Sequence, residues 1–161
     1  MSSSAVISEC GRYRYELGRR WGEGLTAVFV MFNPSTADAE QDDPTIRRCI
    51  GFAESWGCGA LRVVNLFALR ATDPRELRDA MDPIGNENDG YIRRACARRD
   101  VCVVVAAWGA SLQRWPVAKR RRFAVERMLP ADAVCLARTG DGIPRHPLFV
   151  KGDVERVPLR G

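Results

Sequence analysis

The sequence predicts an α/β protein with three layers, α/β/α. At its centre it places a mostly parallel four-stranded sheet, with a strand or hairpin added at the N-terminus. Three observations lead there. Residues 25–32 (LTAVFVMF), 60–67 (ALRVVNLF) and 101–108 (VCVVVAAW) are near-continuous apolar runs rich in β-branched and aromatic residues. Such runs suit strands buried on both faces, the condition of a parallel sheet. Between the runs lie amphipathic segments bounded by Asp-Pro and Gly, which read as crossover helices. Strands and helices alternate along most of the chain, and right-handed crossovers then place helices on the sheet's faces.

Taken in order, residues 11–21 (GRYRYELGRRW) alternate aromatic and basic residues before the turn-rich Gly-Glu-Gly, and read as a short strand or hairpin. Residues 25–32 form the first core strand. Residues 43–57 (DPTIRRCIGFAESWG) carry Ile46, Ile50, Ala53 and Trp56 at helical spacing. Asp43 suits the N-cap, Pro44 the first turn and Gly57 the stop. Residues 60–67 form the second core strand, and 73–81 (DPRELRDAM) open a second helix with the same Asp-Pro signal. Residues 86–100 form a third helix exposing Arg93, Arg94, Arg98 and Arg99, and 101–109 a third core strand ending at Gly109. Residues 117–129 (VAKRRRFAVERML) form a fourth helix whose basic turn reads as a solvated face, and 133–138 a short fourth core strand. A loop follows, TGDGIPRHPLFV. With no repeats, linkers or low-complexity tracts, residues 1–161 read as one domain.

Composition narrows the class. The chain is 46% hydrophobic and 28% charged, ordinary for a soluble protein. The start, MSSSAVISEC, lacks the basic and apolar regions of a secretion signal, and no apolar run spans a bilayer, so a cytoplasmic protein is expected, without a membrane partner. The six cysteines include no Cys-x-x-Cys pair, and His146 is the sole histidine. A zinc or iron–sulfur site is therefore not expected, and the cysteines read as buried free thiols. Net charge is +5, and of 25 basic residues only Lys119 and Lys151 are lysines. Arginine suits phosphate and stacks on bases, although a GC-rich genome accounts for the same bias.

In a parallel sheet, ligands sit at the carboxyl ends of the strands. Three polar segments leave those ends: NPSTAD after the first core strand, NLFALRATDP after the second and TGDGIPRHPL after the fourth. Their anchors are Asn33, Asn65 and His146. An asparagine amide offers an acceptor and two donors, which match the edge of a flat polar ring. The Asn33 carbonyl suits orienting a water, and a neutral His146 suits hydrogen-bonding an oxygen as negative charge develops on it. Pro34, Ser35, Thr36, Arg70, Arg145 and Leu148 belong to the same segments and are assigned to substrate binding. Phe52 or Phe32 suits stacking on a base, a contact of roughly 1–3 kcal/mol.

The motifs NPSTAD, DDPTIRRC, VVNLFALRATDP, PIGNEND, WG and GIPRHPL together resemble a small family of bacteria and phages, the domain of unknown function 1643. More distantly, the layout is similar to the uracil-DNA glycosylase superfamily. That resemblance implies a glycosylase-like fold in which the residue before a proline positions the attacking water. It also implies a strand-end Asn that reads the base and a His-Pro or Asn-Pro loop that supports the leaving base. Those positions fall here on Asn33-Pro34, Asn65 and His146-Pro147. The implied function is hydrolysis of an N-glycosidic bond in nucleic acid or a nucleotide, without cofactor or metal, Asn33 and His146 being the catalytic residues.

The chain departs from that pattern in places. Ser35 stands where glycosylases carry glycine or a bulky aromatic that screens out a 5-methyl group. Leu148 and Phe149 follow the His-Pro, where a wedge into the base stack is conceivable. Residues 150–161 are too short and proline-interrupted for the DNA-gripping helix expected after that loop. Asp38 and Asp42 are acids without an assigned task. They leave open a Mg²⁺-assisted reaction of modified-base or nucleotide metabolism. A non-catalytic reader of bases or nucleic acid also stays open. Oligomeric state is not legible.

Overall fold

The computed structural model describes residues 1–160. It is an α/β fold with a seven-stranded mixed sheet and four helices. The strands are β1 (Ser2–Ile7), β2 (Arg14–Arg20), β3 (Thr26–Met31), β4 (Ala60–Asn65), β5 (Val101–Ala106), β6 (Val134–Cys135) and β7 (Val157–Pro158). Their order across the sheet is β1-β2-β4-β3-β5-β6-β7. Pairings β4–β3, β3–β5 and β5–β6 are parallel, while β1–β2, β2–β4 and β6–β7 are antiparallel. The sheet is thus wider than the four strands expected. The N-terminal addition is a full hairpin, β1 with β2, whose second strand seals the β4 edge.

Every residue of β3 is buried. Side chains alternate across a pleated strand, so Val28 and Val30 enter one core with Val64 and Val104, and Ala27 and Phe29 enter the other with Leu61 and Val63. Fully burying each such Val, Leu or Phe side chain contributes roughly 1.5–3 kcal/mol. Helix α1 (Pro44–Ser55) covers the second core through Ile46, Cys49, Phe52 and Ala53. The first core is covered by α2 (Glu76–Asp79), α3 (Asn88–Ala97) and α4 (Pro116–Glu126) through Leu77, Ile92, Ala95, Ala118 and Val125.

Three expectations need correction. The second helix is a single turn, because the Asp73 carboxylate binds the Arg75 backbone and guanidinium and Ala80 is already extended. The basic turn of α4 is a solvated face only in part: Lys119 and Arg120 are exposed, but Arg121 and Arg122 are buried. Nor are the thiols uniformly buried: all six are free, but Cys10 and Cys102 are exposed. Cys102 Sγ lies 3.1 Å from Cys58 Sγ, at the end of the sheet where β4 and β5 begin. Among the described residues, no helix is long and apolar enough to cross a membrane.

Candidate functional site

Strands β3, β4 and β5 end together, and a cleft of about 320 Å³ opens beyond them. It takes Asn33, Pro34 and Ser35 from the segment after β3, Asn65 from the end of β4, Trp108 from the segment after β5, and His146 and Leu148 from the last loop. The three anchors, 32 and 81 positions apart along the chain, therefore meet in one place.

Asn33 is fixed through its nitrogen. Its Nδ2 donates to the Ala71 carbonyl at 2.8 Å and to the Pro34 carbonyl at 3.0 Å. The Ala71 N–H donates back to Pro34 O at 3.1 Å, so the first and second polar segments are tied together. Both donors of the Asn33 amide thus face backbone carbonyls, and Oδ1 is left as the free acceptor.

Asn65 is 1% exposed, and neither Oδ1 nor Nδ2 has a hydrogen-bond partner. An amide buried in that way loses its water without compensation, a penalty of about 1–3 kcal/mol per group. Buried polar atoms are nearly always paired, so the two orphans on this one side chain at a cleft wall call for a partner, ordered water or ligand. Its backbone, by contrast, is held firmly. Asn88 Nδ2 donates to Asn65 O at 2.9 Å and to Leu66 O at 3.1 Å, and Arg121 Nε donates to Leu66 O at 2.7 Å.

His146 caps the 3-10 turn Pro147–Phe149, its Nδ1 accepting from the Leu148 N–H at 3.2 Å. That bond fixes the neutral tautomer with hydrogen on Nε2. Burial pushes the imidazole pKa below 6.5, opposed by the nearby Asp43 carboxylate. Gly109 lets the loop approach: its φ is +74°, and a Cβ there would sit 3.1 Å from His146 Cβ.

Other expected residues lie elsewhere. Thr36 is exposed on its loop, and Thr45 lines the cleft instead. Phe52 is buried on the core face of α1, its ring 5.8 Å from that of Trp56; Phe32 lines the cleft but is equally buried, its ring 5.3 Å from that of Phe67. Arg70 borders a separate depression with Gly11 and Arg12. Arg145 Nε donates to the Arg138 carbonyl at 3.1 Å. The two open acids are both engaged: Asp42 Oδ1 accepts from Arg19 Nε at 2.8 Å, and Asp38 Oδ1 accepts from the Glu40 and Gln41 backbone N–H groups, each at 2.8 Å. No group of three or more His, Cys, Asp or Glu side chains converges among the described residues.

Two cleft residues were not anticipated as such. Arg14 on β2 is 2% exposed, and its Nη1 donates to the Ala37 carbonyl at 2.8 Å while Nε has no partner. Burial, with repulsion from Arg70 and Arg19, lowers its pKa to about 10, opposed by Asp43 and Asp38. It therefore stays charged at neutral pH. Asp43 caps α1, Oδ1 accepting from the Ile46 N–H at 2.8 Å, and also lines the cleft. Its helix-start signal hid that second position.

The sequence model described as "Protein of unknown function (DUF1643)" matches residues 14–148. The chain belongs to this family. The matched span includes every cleft residue named above and leaves out β1 and β7. No curated protein and no solved structure matches the chain.

Proposed function

We propose that the cleft binds a nucleobase and that the protein hydrolyses the N-glycosidic bond holding that base to its sugar. The observation that carries this reading is the unpartnered, buried Asn65 amide on the same wall system as Asn33 and His146. Oδ1 accepts an N–H and Nδ2 donates to a carbonyl or ring nitrogen, a two-point match to a base edge. Phe32 adds an apolar edge to the cleft wall beside Asn65. The order of Asn-Pro, strand-end Asn and His-Pro, similar to that of uracil-DNA glycosylases, supports the same assignment.

In the reaction the C1′–N bond breaks and its electron pair leaves with the base. The sugar becomes cation-like, and a water oxygen bonds to C1′. Asn33 Oδ1 accepts a hydrogen bond from that water and aims it, while the Asp43 carboxylate takes the proton that an amide cannot. His146 Nε2–H donates to the base oxygen on which charge accumulates, and the fixed charge of Arg14 favours the anionic leaving group. Asp43 then releases its proton to solvent and the base takes one up, so the elements of water are divided between sugar and base.

An alkali-cleavage assay tests this directly. Single- and double-stranded DNA carrying uracil, hypoxanthine or a 5-modified pyrimidine is incubated with the protein, alongside free nucleosides and nucleotides assayed for base release. The expected result is base release from one of these substrates that falls at least a hundredfold in Asn33→Ala and in His146→Ala. Intact substrates throughout, from folded protein, would overturn the hydrolytic part of the proposal.

A further inference from the structure

Trp108 lines the cleft and also a second, larger groove of about 550 Å³. One wall of that groove is a single face of α4. Lys119, Arg122, Phe123 and Glu126 recur at spacings of three and four, which brings them into line along the helix. Arg114 and Arg138 add charge from the flanking loops, so four cations face two carboxylates, Glu126 and Asp141.

The groove carries the marks of a built site. Arg122 is 8% exposed, its Nη1 has no partner, and its Nη2 has only a 3.4 Å contact with the Gln113 carbonyl. Burial lowers its pKa. A guanidinium left short of acceptors in a recess attracts an anion with several oxygens, and phosphate matches its fork. Lys119 and Arg114 make no ion pair among the described residues. Phe123 is 54% exposed between the cations. A half-bare aromatic ring interleaved with cations is the arrangement that stacks unpaired bases while neutralising their backbone. A paired base has no free face to offer it.

We infer that this groove binds the phosphodiester backbone of a single nucleic-acid strand, with one base stacked on Phe123, and so leads the strand to the cleft across Trp108. The identity of the ligand rests on the nucleobase reading of the cleft; the affinity for phosphate rests on the groove's own residues. The substrate is then polymeric rather than a free nucleotide, and Leu148 and Phe149, the latter 74% exposed at the cleft mouth, meet the strand's neighbouring bases.

The test is fluorescence anisotropy with a labelled oligothymidylate of about twelve nucleotides across a salt series, with Lys119→Gln, Phe123→Ala and Arg122→Gln compared with the wild-type chain. Lys119 and Phe123 are exposed, so their variants report even if Arg122→Gln fails to fold. Binding should weaken with salt, and Lys119→Gln should reduce the log–log slope by roughly 0.7, one phosphate contact on a single strand. Phe123→Ala should weaken binding at least fivefold without changing that slope. Equal binding by all variants, or no binding by the wild-type chain, overturns the inference. Nucleoside binding measured in parallel separates the two proposals. Groove-dependent oligonucleotide binding without nucleoside binding keeps the groove and removes the base reading of the cleft. Nucleoside binding without a groove effect does the reverse.

Discussion

The side chain of Asn88 donates to the backbone carbonyl of Asn65 at 2.9 Å, so one buried asparagine holds the main chain of another whose own amide is unpartnered. On the proposed reading of the cleft, the two residues divide stability from recognition. Asn88 joins the start of α3 to the end of β4, and Arg121 on α4 reinforces the join at Leu66. Asn65 then presents a rigid amide to the cleft at an energetic cost to the fold.

Substitution should separate these roles. Asn88→Ala takes this donor from the buried Asn65 carbonyl, while the Leu66 carbonyl keeps Arg121, and should destabilise the protein by about 1–3 kcal/mol, read as a lower midpoint in urea unfolding. Asn65→Ala removes two orphaned polar atoms and should leave the midpoint unchanged or raised. A large stability loss in Asn65→Ala would mean that its amide has a structural partner.

Asp43 has two tasks that a pair of variants can split. Asn retains an N-cap oxygen and Ala does not, so Asp43→Ala should cost about 1 kcal/mol of stability and Asp43→Asn a few tenths. Both remove the proton acceptor, and both should lower base release by about 10²–10⁴-fold. Full activity in Asp43→Asn would leave Asp43 as a cap alone.

His146 makes a pH prediction with a defined sign. Its pKa is lowered by burial, so the unfolded chain binds its proton more readily than the folded one. The stability it contributes is complete above pH 6.5 and declines as pH falls from there toward the folded value. Protonation also removes the Nδ1 acceptor for the Leu148 N–H, which loosens the Pro147–Phe149 turn. An NMR titration of the imidazole should give a midpoint below 6.5, and His146→Gln should flatten the stability profile between that midpoint and neutrality.

The thiols differ in environment and should react in order. Cys10 is exposed, and its pKa is lowered chiefly by the Ser8 hydroxyl. Burial raises Cys49, raises Cys58 to about 12 and raises Cys96 to about 11. Iodoacetamide at pH 7.5 should therefore label Cys10 first, with Cys49, Cys58 and Cys96 labelled only after unfolding; mass spectrometry of timed digests reads the order.

Much of this arrangement was legible in the residues. The runs over 25–32, 60–67 and 101–108 contain β3, β4 and β5, because burial on both faces demands unbroken apolar sequence. Asp43-Pro44 marks the start of α1 correctly. Strand β1 was not legible: Ser2, Ser3 and Ser4 are exposed on a sheet edge, where no apolar signal is needed. The convergence of Asn33, Asn65 and His146 followed from topology. The burial of Arg14, Asn88 and Arg121 did not, because their side chains are held by carbonyls distant in sequence, at Ala37, Asn65 and Leu66, which leave no trace in local periodicity. Arg19 alone carried a hint, since it falls in phase with buried Tyr15 and Leu17.

The most direct measurement of the central claim is calorimetric titration of the wild-type protein and Asn65→Ala with free bases and nucleosides. The account predicts that at least one of them binds the wild-type protein, and that Asn65→Ala binds it at least tenfold more weakly while unfolding at the same or a higher temperature. Equal binding by Asn65→Ala, or no binding of any base or nucleoside by the wild-type protein, would contradict it.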